Sequence, residues 1–118
     1  VDEGRPIFLQ VAERIESEIL DGSMAEETQV PSINELAAFY RINPATALKG
    51  INLLVDAGVL YKRRGIGMFV TQGARAQLLT QRRADFQEGF VRPLVAQAHS
   101  LGLSSDQLTH MIREEMGR

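Results

Sequence analysis

Residues 31–46 read Pro31-Ser32-Ile33-Asn34-Glu35-Leu36-Ala37-Ala38-Phe39-Tyr40-Arg41-Ile42-Asn43-Pro44-Ala45-Thr46, and they hold two helix starts in close succession. Ser32 and Glu35 have the spacing of a capping box: the hydroxyl accepts from the third helical amide while the carboxylate reaches back to the capping amide. Asn43-Pro44 uses the same grammar. Asparagine caps well, and proline at the first helical position forfeits no hydrogen bond, because that N–H has no helical acceptor. The first helix is short, with Leu36, Ala37 and Phe39 expected inward, and stops near Tyr40-Arg41. In the second, Ala47, Leu48, Ile51, Leu54 and Val55 supply the expected buried stripe, and Gly58 ends it. Two short helices joined by about four residues make a helix-turn-helix.

Upstream, Ile7, Phe8, Val11, Ala12, Ile15 and Ile19 recur at helical period between Pro6 and Asp21, opposite a charged face of Glu13, Arg14, Glu16 and Glu18. Gly22 stands where a left-handed residue closes a helix. Residues 23–31 are irregular, with Thr28-Gln29-Val30 readable as a short strand. Downstream, Val59–Arg63 reads as one strand and Met68–Val70 as its partner. Arg64-Gly65-Ile66-Gly67 between them supplies the glycines of a hairpin loop with a basic tip.

Gln72-Gly73 mark a boundary. A long helical pattern runs from Ala74 to Ser100, with Leu79, Phe86, Phe90, Leu94 and Ala98 along one side; Gly89 and Pro93 inside it predict a kink. Leu101-Gly102 ends it. Ser104 and Gln107 form another capping box, opening a last helix with Leu108, Met111, Ile112 and Met116 on one side.

The chain has 118 residues, 44% of them hydrophobic, enough for a packed core. It has no cysteine, which excludes disulfides and thiolate metal sites and suits a reducing cytoplasm. No apolar run approaches the roughly 20 residues of a membrane span, and the polar start Val1–Pro6 is unlike a signal peptide. The net charge is −2, but it is unevenly spread. Residues 1–40 carry nine acidic and two basic side chains, residues 41–83 one acidic and eight basic, and residues 84–118 five acidic and three basic. Residues 41–83, which hold the second of the two helices and the hairpin, thus have a balance of +7, the mark of a face built for a polyanion.

The stretch from Ile7 to Val70 resembles the winged-helix DNA-binding domain of the GntR family of bacterial regulators. The resemblance rests on Pro6-Ile7-Phe8-Leu9-Gln10, Leu20-Asp21-Gly22, Pro31-Ser32, Glu35-Leu36-Ala37 and Ile42-Asn43-Pro44-Ala45-Thr46. It continues through Leu54, Gly58-Val59-Leu60 and Arg63-Arg64-Gly65-Ile66-Gly67-Met68-Phe69-Val70. The Asn-Pro-x-Thr opening and the short C-terminal part are similar to the YtrA-like subfamily. That likeness implies two dimerising helices after the wing and control of transporter genes. Three positions depart from the wider family's usual arginines: Asn34, Pro44 and Leu48.

The expected fold is therefore mainly α with a small β-hairpin (α+β): a winged helix-turn-helix over residues 1–72, then a two-helix dimerisation segment over residues 73–118. A recognition helix presents its N-terminal residues to bases and phosphates, here Asn43, Ala45, Thr46 and Lys49. Ser32 and Asn34 are candidate phosphate holders, and Lys62, Arg63, Arg64, Gly65 and Gly67 form the wing. Leu79, Phe86, Phe90, Leu94, Leu108, Met111 and Ile112 are the expected dimer contacts, since two helices bury too little to stand alone. The resulting expectation is a cytoplasmic, non-enzymatic, dimeric DNA-binding regulator, a repressor on an inverted-repeat operator. No cofactor, metal or membrane is expected. The short C-terminal part leaves no room for a large effector domain; a small-molecule effector would act at the dimer helices, with Gly89 and Pro93 as a hinge.

The bland readings are capping signals without a ligand, a solvated hairpin tip, and ordinary surface roles for His99 and His110, which lack metal-ligand spacing. No phosphate loop or nucleophile constellation is present. The rival from another class is a winged helix that contacts protein through its acidic first helix and binds no DNA.

Overall fold

Capping and glycine chemistry place the first three helices where the sequence puts them. The computed structural model describes residues 4–118; the polar start Val1–Glu3 lies outside the described residues. Helix α1 spans Ile7–Leu20, α2 Ile33–Tyr40 and α3 Pro44–Asp56. Strands β1 (Leu60–Arg63) and β2 (Gly67–Val70) follow, then α4 (Ala74–Phe86), α5 (Arg92–Ser100) and α6 (Ser105–Met116). Pro6 is the N-cap of α1 rather than its first helical residue. Gly22 and Gly58 take positive φ, 88° and 79°, just past the ends of α1 and α3. Arg41 closes α2 in the left-handed region at φ 56°, so an arginine takes the conformation that the turn between the two helices requires.

The chain divides into two compact units, up to Thr80 and from Gln81. In the first, Val11, Ala12, Ile15 and Ile19 of α1 pack with Leu36 and Ala37 of α2 and Ala47, Ile51 and Leu54 of α3. Val59, Leu60 and Val70 bring in the hairpin, and Ala74 and Leu78 add the opening turns of α4. α1 and α3 approach so closely at Gly50 that a Cβ there would stand 2.7 Å from the Phe8 carbonyl oxygen. The hairpin is antiparallel, with Leu60 opposite Val70 and Arg63 opposite Gly67. The expected short strand at Thr28–Val30 is an antiparallel bridge of Gln29 to Phe69. The Val30 amide donates to the Met68 carbonyl and the Val70 amide to that of Thr28.

Two side chains expected in the core are not there. Phe39 is 75% exposed, because Ile33, Leu36, Ala37 and Tyr40 form the inward stripe of this two-turn helix. Phe39 meets the Tyr40 ring edge-on, with centroids 5.0 Å apart. Leu48 is 42% exposed; the inner face of α3 belongs to Ala47, Gly50, Ile51 and Leu54, and Leu48 points about 100° away from Ala47.

In the second unit, the expected kink is a π-helical turn over Gln87–Val91, in which the Arg92 amide donates to the Gln87 carbonyl. Pro93, in the first turn of α5, has no amide to donate backward, and a widened turn ahead of it accommodates the loss. The wider turn also stacks Phe86 and Phe90, their centroids 5.5 Å apart and planes 29° from parallel. The Ser104–Gln107 capping box opens α6 as expected.

Candidate nucleic-acid interface

The site is assembled from three helix and strand ends. At the start of α2 the Ser32 Oγ accepts from the Glu35 amide at 3.1 Å, and Glu35 Oε1 accepts from the Ser32 amide at 3.0 Å. The Ser32 amide, and after it the Ser32 side chain, hydrogen-bond the Glu35 carboxyl and hold it below its ordinary pKa. Asn34, in the same first turn, is exposed.

At the start of α3 the Asn43 Oδ1 accepts from the Ala45 amide at 2.8 Å, so its side-chain NH₂ remains the group to donate outward. Ala45 is exposed and Thr46 half-buried. Lys49 is exposed too, but its Nζ sits 4.1 Å from the centroid of the Phe8 ring on α1, a cation–π contact.

The wing carries Lys62, Arg63 and Arg64, all exposed. The Arg63 guanidinium carbon lies 4.8 Å over the Phe69 ring, and the Ile66 amide closes the loop on the Arg63 carbonyl at 3.0 Å. Gly65 and Gly67 have φ of 78° and 146°. At Gly67 a Cβ would also meet Gln29 Nε2 at 2.6 Å, so both space and backbone call for glycine.

Ser32, Lys62 and Gly67 line one cleft of about 300 Å³ together with Gln29, Ile33, Leu48, Ile66 and Met68. Thus the beginning of α2, the outward side of α3 and the wing converge, and a helix N-terminus opens beside a cation. Of the expected contact residues Asn34, Asn43, Ala45, Thr46, Lys49, Arg63, Arg64 and Gly65 do not line it. Seven lining residues are not among the expected site residues: Gln29, Val30, Pro31, Ile33, Leu48, Ile66 and Met68. Leu48 was detectable, since Gly50 and Ile51 on the inner face turn it outward. Gln29 had no local signal, because its partner is distant in sequence.

Among the described residues no group of three histidine, aspartate or glutamate side chains is placed to hold a metal ion. His110 pairs with Glu114 one helical turn away, at 2.6 Å. No helix among the described residues is long and apolar enough to cross a membrane.

A winged helix with its basic wing and capped recognition helix around one cleft defines a DNA-binding domain of the helix-turn-helix class. The family model of bacterial regulatory proteins of the gntR family matches residues 8–70, and the chain belongs to that family. It is a transcriptional regulator, not an enzyme. It is 28% identical to the HTH-type transcriptional repressor YtrA of Bacillus subtilis, over 92% of this chain and 83% of that one. A solved GntR-family regulator from Bacteroides thetaiotaomicron is similar with a TM-score of 0.81 and 34% identity, covering 95% of this chain and 97% of that one. The DNA-binding domain of AraR, solved in complex with its operator ORR3, is similar with a TM-score of 0.53 and 36% identity. That match covers 54% of this chain and 77% of the other.

Proposed function

We propose that the chain is a sequence-specific transcriptional repressor that acts in the cytoplasm as a homodimer on an inverted-repeat operator. The observation that carries the reading is the cleft where Ser32, Lys62 and Gly67 meet beside the outward side of α3. Asn43, Ala45 and Thr46 at the N-terminus of α3 are the base and phosphate contacts, and Lys49 adds a phosphate contact on the α1 side. Ser32 and Asn34 hold phosphate, and Lys62, Arg63 and Arg64 with Gly65 and Gly67 follow the backbone at the wing. The AraR domain's operator complexes and the likeness to the repressor YtrA support this reading.

Residues 1–72 carry DNA binding and residues 73–118 dimerisation in this proposal. Support comes from the second unit, where Phe86, Phe90, Leu94, Met111 and Ile112 are exposed and Leu108 half-buried. Leu94, Leu108, Met111, Ile112 and Met116 line a shared apolar hollow. Leu79, half-buried on α4, is a further dimer contact in this proposal. Closed two-fold pairing covers such a face and sets the half-site spacing. Control of transporter genes is the role that the YtrA-like resemblance implies. A small-molecule effector would bind at the dimer helices, and the π-turn, with Gly89 at its centre, is the element that would respond.

The test is binding to duplexes selected from random DNA, at two salt concentrations. Affinity should fall steeply with salt, with a log–log slope of about −0.9 per phosphate neutralised. Salt-insensitive binding, or no enrichment, supports the protein-contact rival instead.

A further inference from the structure

We propose that Leu48 is a specificity residue that reads a thymine by its C5-methyl group; this rests on the DNA-binding reading above and goes further into how the site selects sequence. Past its first residue the recognition helix has six exposed side chains, Ala45, Leu48, Lys49, Asn52, Leu53 and Asp56, and the first three of these lie in its first two turns. Lys49 is drawn aside over the Phe8 ring. The other fully exposed side chains of the first two turns past Pro44 are apolar: the methyl of Ala45 and the isobutyl group of Leu48. Leu48 is also the α3 side chain that lines the cleft with Ser32 and Lys62. With Ser32 and Lys62 as phosphate anchors, Leu48 is the recognition-helix side chain that shares their cleft and meets a base edge there.

The chemistry of the major groove then narrows the choice. Guanine offers two acceptors there, cytosine a donor, and adenine one of each. Thymine alone adds a methyl group. A leucine pressed against the polar edges strips them of water and returns no hydrogen bond. Pressed against the thymine methyl, it buries apolar surface on both partners at no such cost. The arginine common at this place in the family would select guanine; leucine inverts that preference.

The experiment uses the full chain and duplexes enriched from random DNA. Each thymine of an enriched half-site is replaced in turn by deoxyuridine, which removes only the methyl. One position per half-site should lose about fourfold in affinity, the worth of one buried methyl. Leu48→Ala should still bind the enriched duplex but bind the thymine and deoxyuridine forms equally at that position. Leu48→Met should retain discrimination, and selection with Leu48→Arg should change the preferred base there from thymine to guanine. Leu48 is exposed, so the variants should melt with the wild type, and a melting scan checks that each is folded. The proposal is overturned if no thymine shows methyl dependence, or if Leu48→Ala keeps it. Failure to enrich any duplex would instead sink the DNA-binding reading, and this proposal with it.

Discussion

Gln29 holds the tip of the wing from 37 residues upstream: its Nε2 donates to the Ile66 carbonyl at 3.0 Å. The same amide nitrogen fills the space beside Gly67. The wing loop would otherwise be a two-stranded ribbon end with little to fix it. Gln29 is thus a strut that fixes the angle at which Lys62, Arg63 and Arg64 leave the domain. Gln29→Ala should cost about 1 kcal/mol of stability, the net worth of one hydrogen bond. It should also speed amide exchange at Ile66 and weaken duplex DNA binding several-fold. Gly67→Ala should be worse, because the new methyl meets Gln29 and the φ of 146° strains any Cβ. Equal urea midpoints for Gly67→Ala and wild type would refute the strut.

The contact of α1 with α3 at Gly50 is less forgiving. A Cβ there meets backbone, the Phe8 carbonyl at 2.7 Å, not a side chain that can swing away. The two helices would have to separate, opening the core around Val11 and Ile51. Gly50→Ala should lose about 2–3 kcal/mol, in the range of overpacked cores. Gly89→Ala is the control, since nothing lies within 4 Å of the position; it should cost no stability. Denaturant melts of the two variants check the contrast.

Glu26 makes a pH prediction. Its Oε1 accepts from the Gly73 amide at 2.8 Å and its Oε2 from the Arg75 amide at 3.1 Å, so it caps α4 from a distant loop. These backbone bonds hold its carboxyl below the ordinary value, as the Ser32 amide does for Glu35. A carboxyl with a lowered folded pKa binds its proton more readily in the unfolded chain. Its stabilising effect is complete above the unfolded pKa, about 4.3, and is lost as pH falls through the folded value. Thermal stability should therefore drop below about pH 4.5. Glu26→Gln should lower the melting temperature at pH 7 and leave it near that of the wild type at pH 3.

These three cases show what was legible in the sequence. Ser32 with Glu35, Asn43 with Pro44 and Ser104 with Gln107 were readable because capping is completed within four residues, and all three stand where expected. The glycines Gly65 and Gly67 declared the wing for the same local reason. Leu48 and Phe39 turn out against expectation because each short helix has more apolar residues than inward positions; the close approach at Gly50 sets the inner face of α3, and Ile33, Leu36, Ala37 and Tyr40 fill that of α2. Gln29 and Glu26 were illegible, since each acts on backbone that only the folded chain brings near. The π-turn was visible only as a disturbance at Gly89 and Pro93.

Lys49 tests whether a cation–π contact restrains a DNA contact or prepares it. With Nζ 4.1 Å from the Phe8 centroid, the ammonium is held on the α1 side of the recognition helix. Lys49→Ala should weaken binding alike on all duplexes and reduce the salt slope by about one. Phe8→Leu removes the ring and keeps the charge. It should leave the salt slope unchanged and cost a few-fold in affinity through lost positioning. A slope that does not move in Lys49→Ala would remove Lys49 from the phosphate contacts.

The apolar side of the second unit supplies the test of dimerisation. Phe90 is 67% exposed, and Leu94 joins Met111, Ile112 and Met116 around the hollow between α5 and α6. A carboxylate placed there is harmless to a monomer but buried and unpaired in a dimer, where it costs several kcal/mol. Leu94→Glu should therefore sediment as a monomer at micromolar concentration with its helical circular dichroism intact. Binding to a two-half-site duplex should fall to the level of a single half-site, because the second contact no longer comes tethered to the first. Phe39→Ser controls for general stickiness: it removes an even more exposed ring from the first unit and should leave the oligomeric state unchanged. A Leu94→Glu protein that still sediments as a dimer would place the dimer contact on a surface other than α5 and α6.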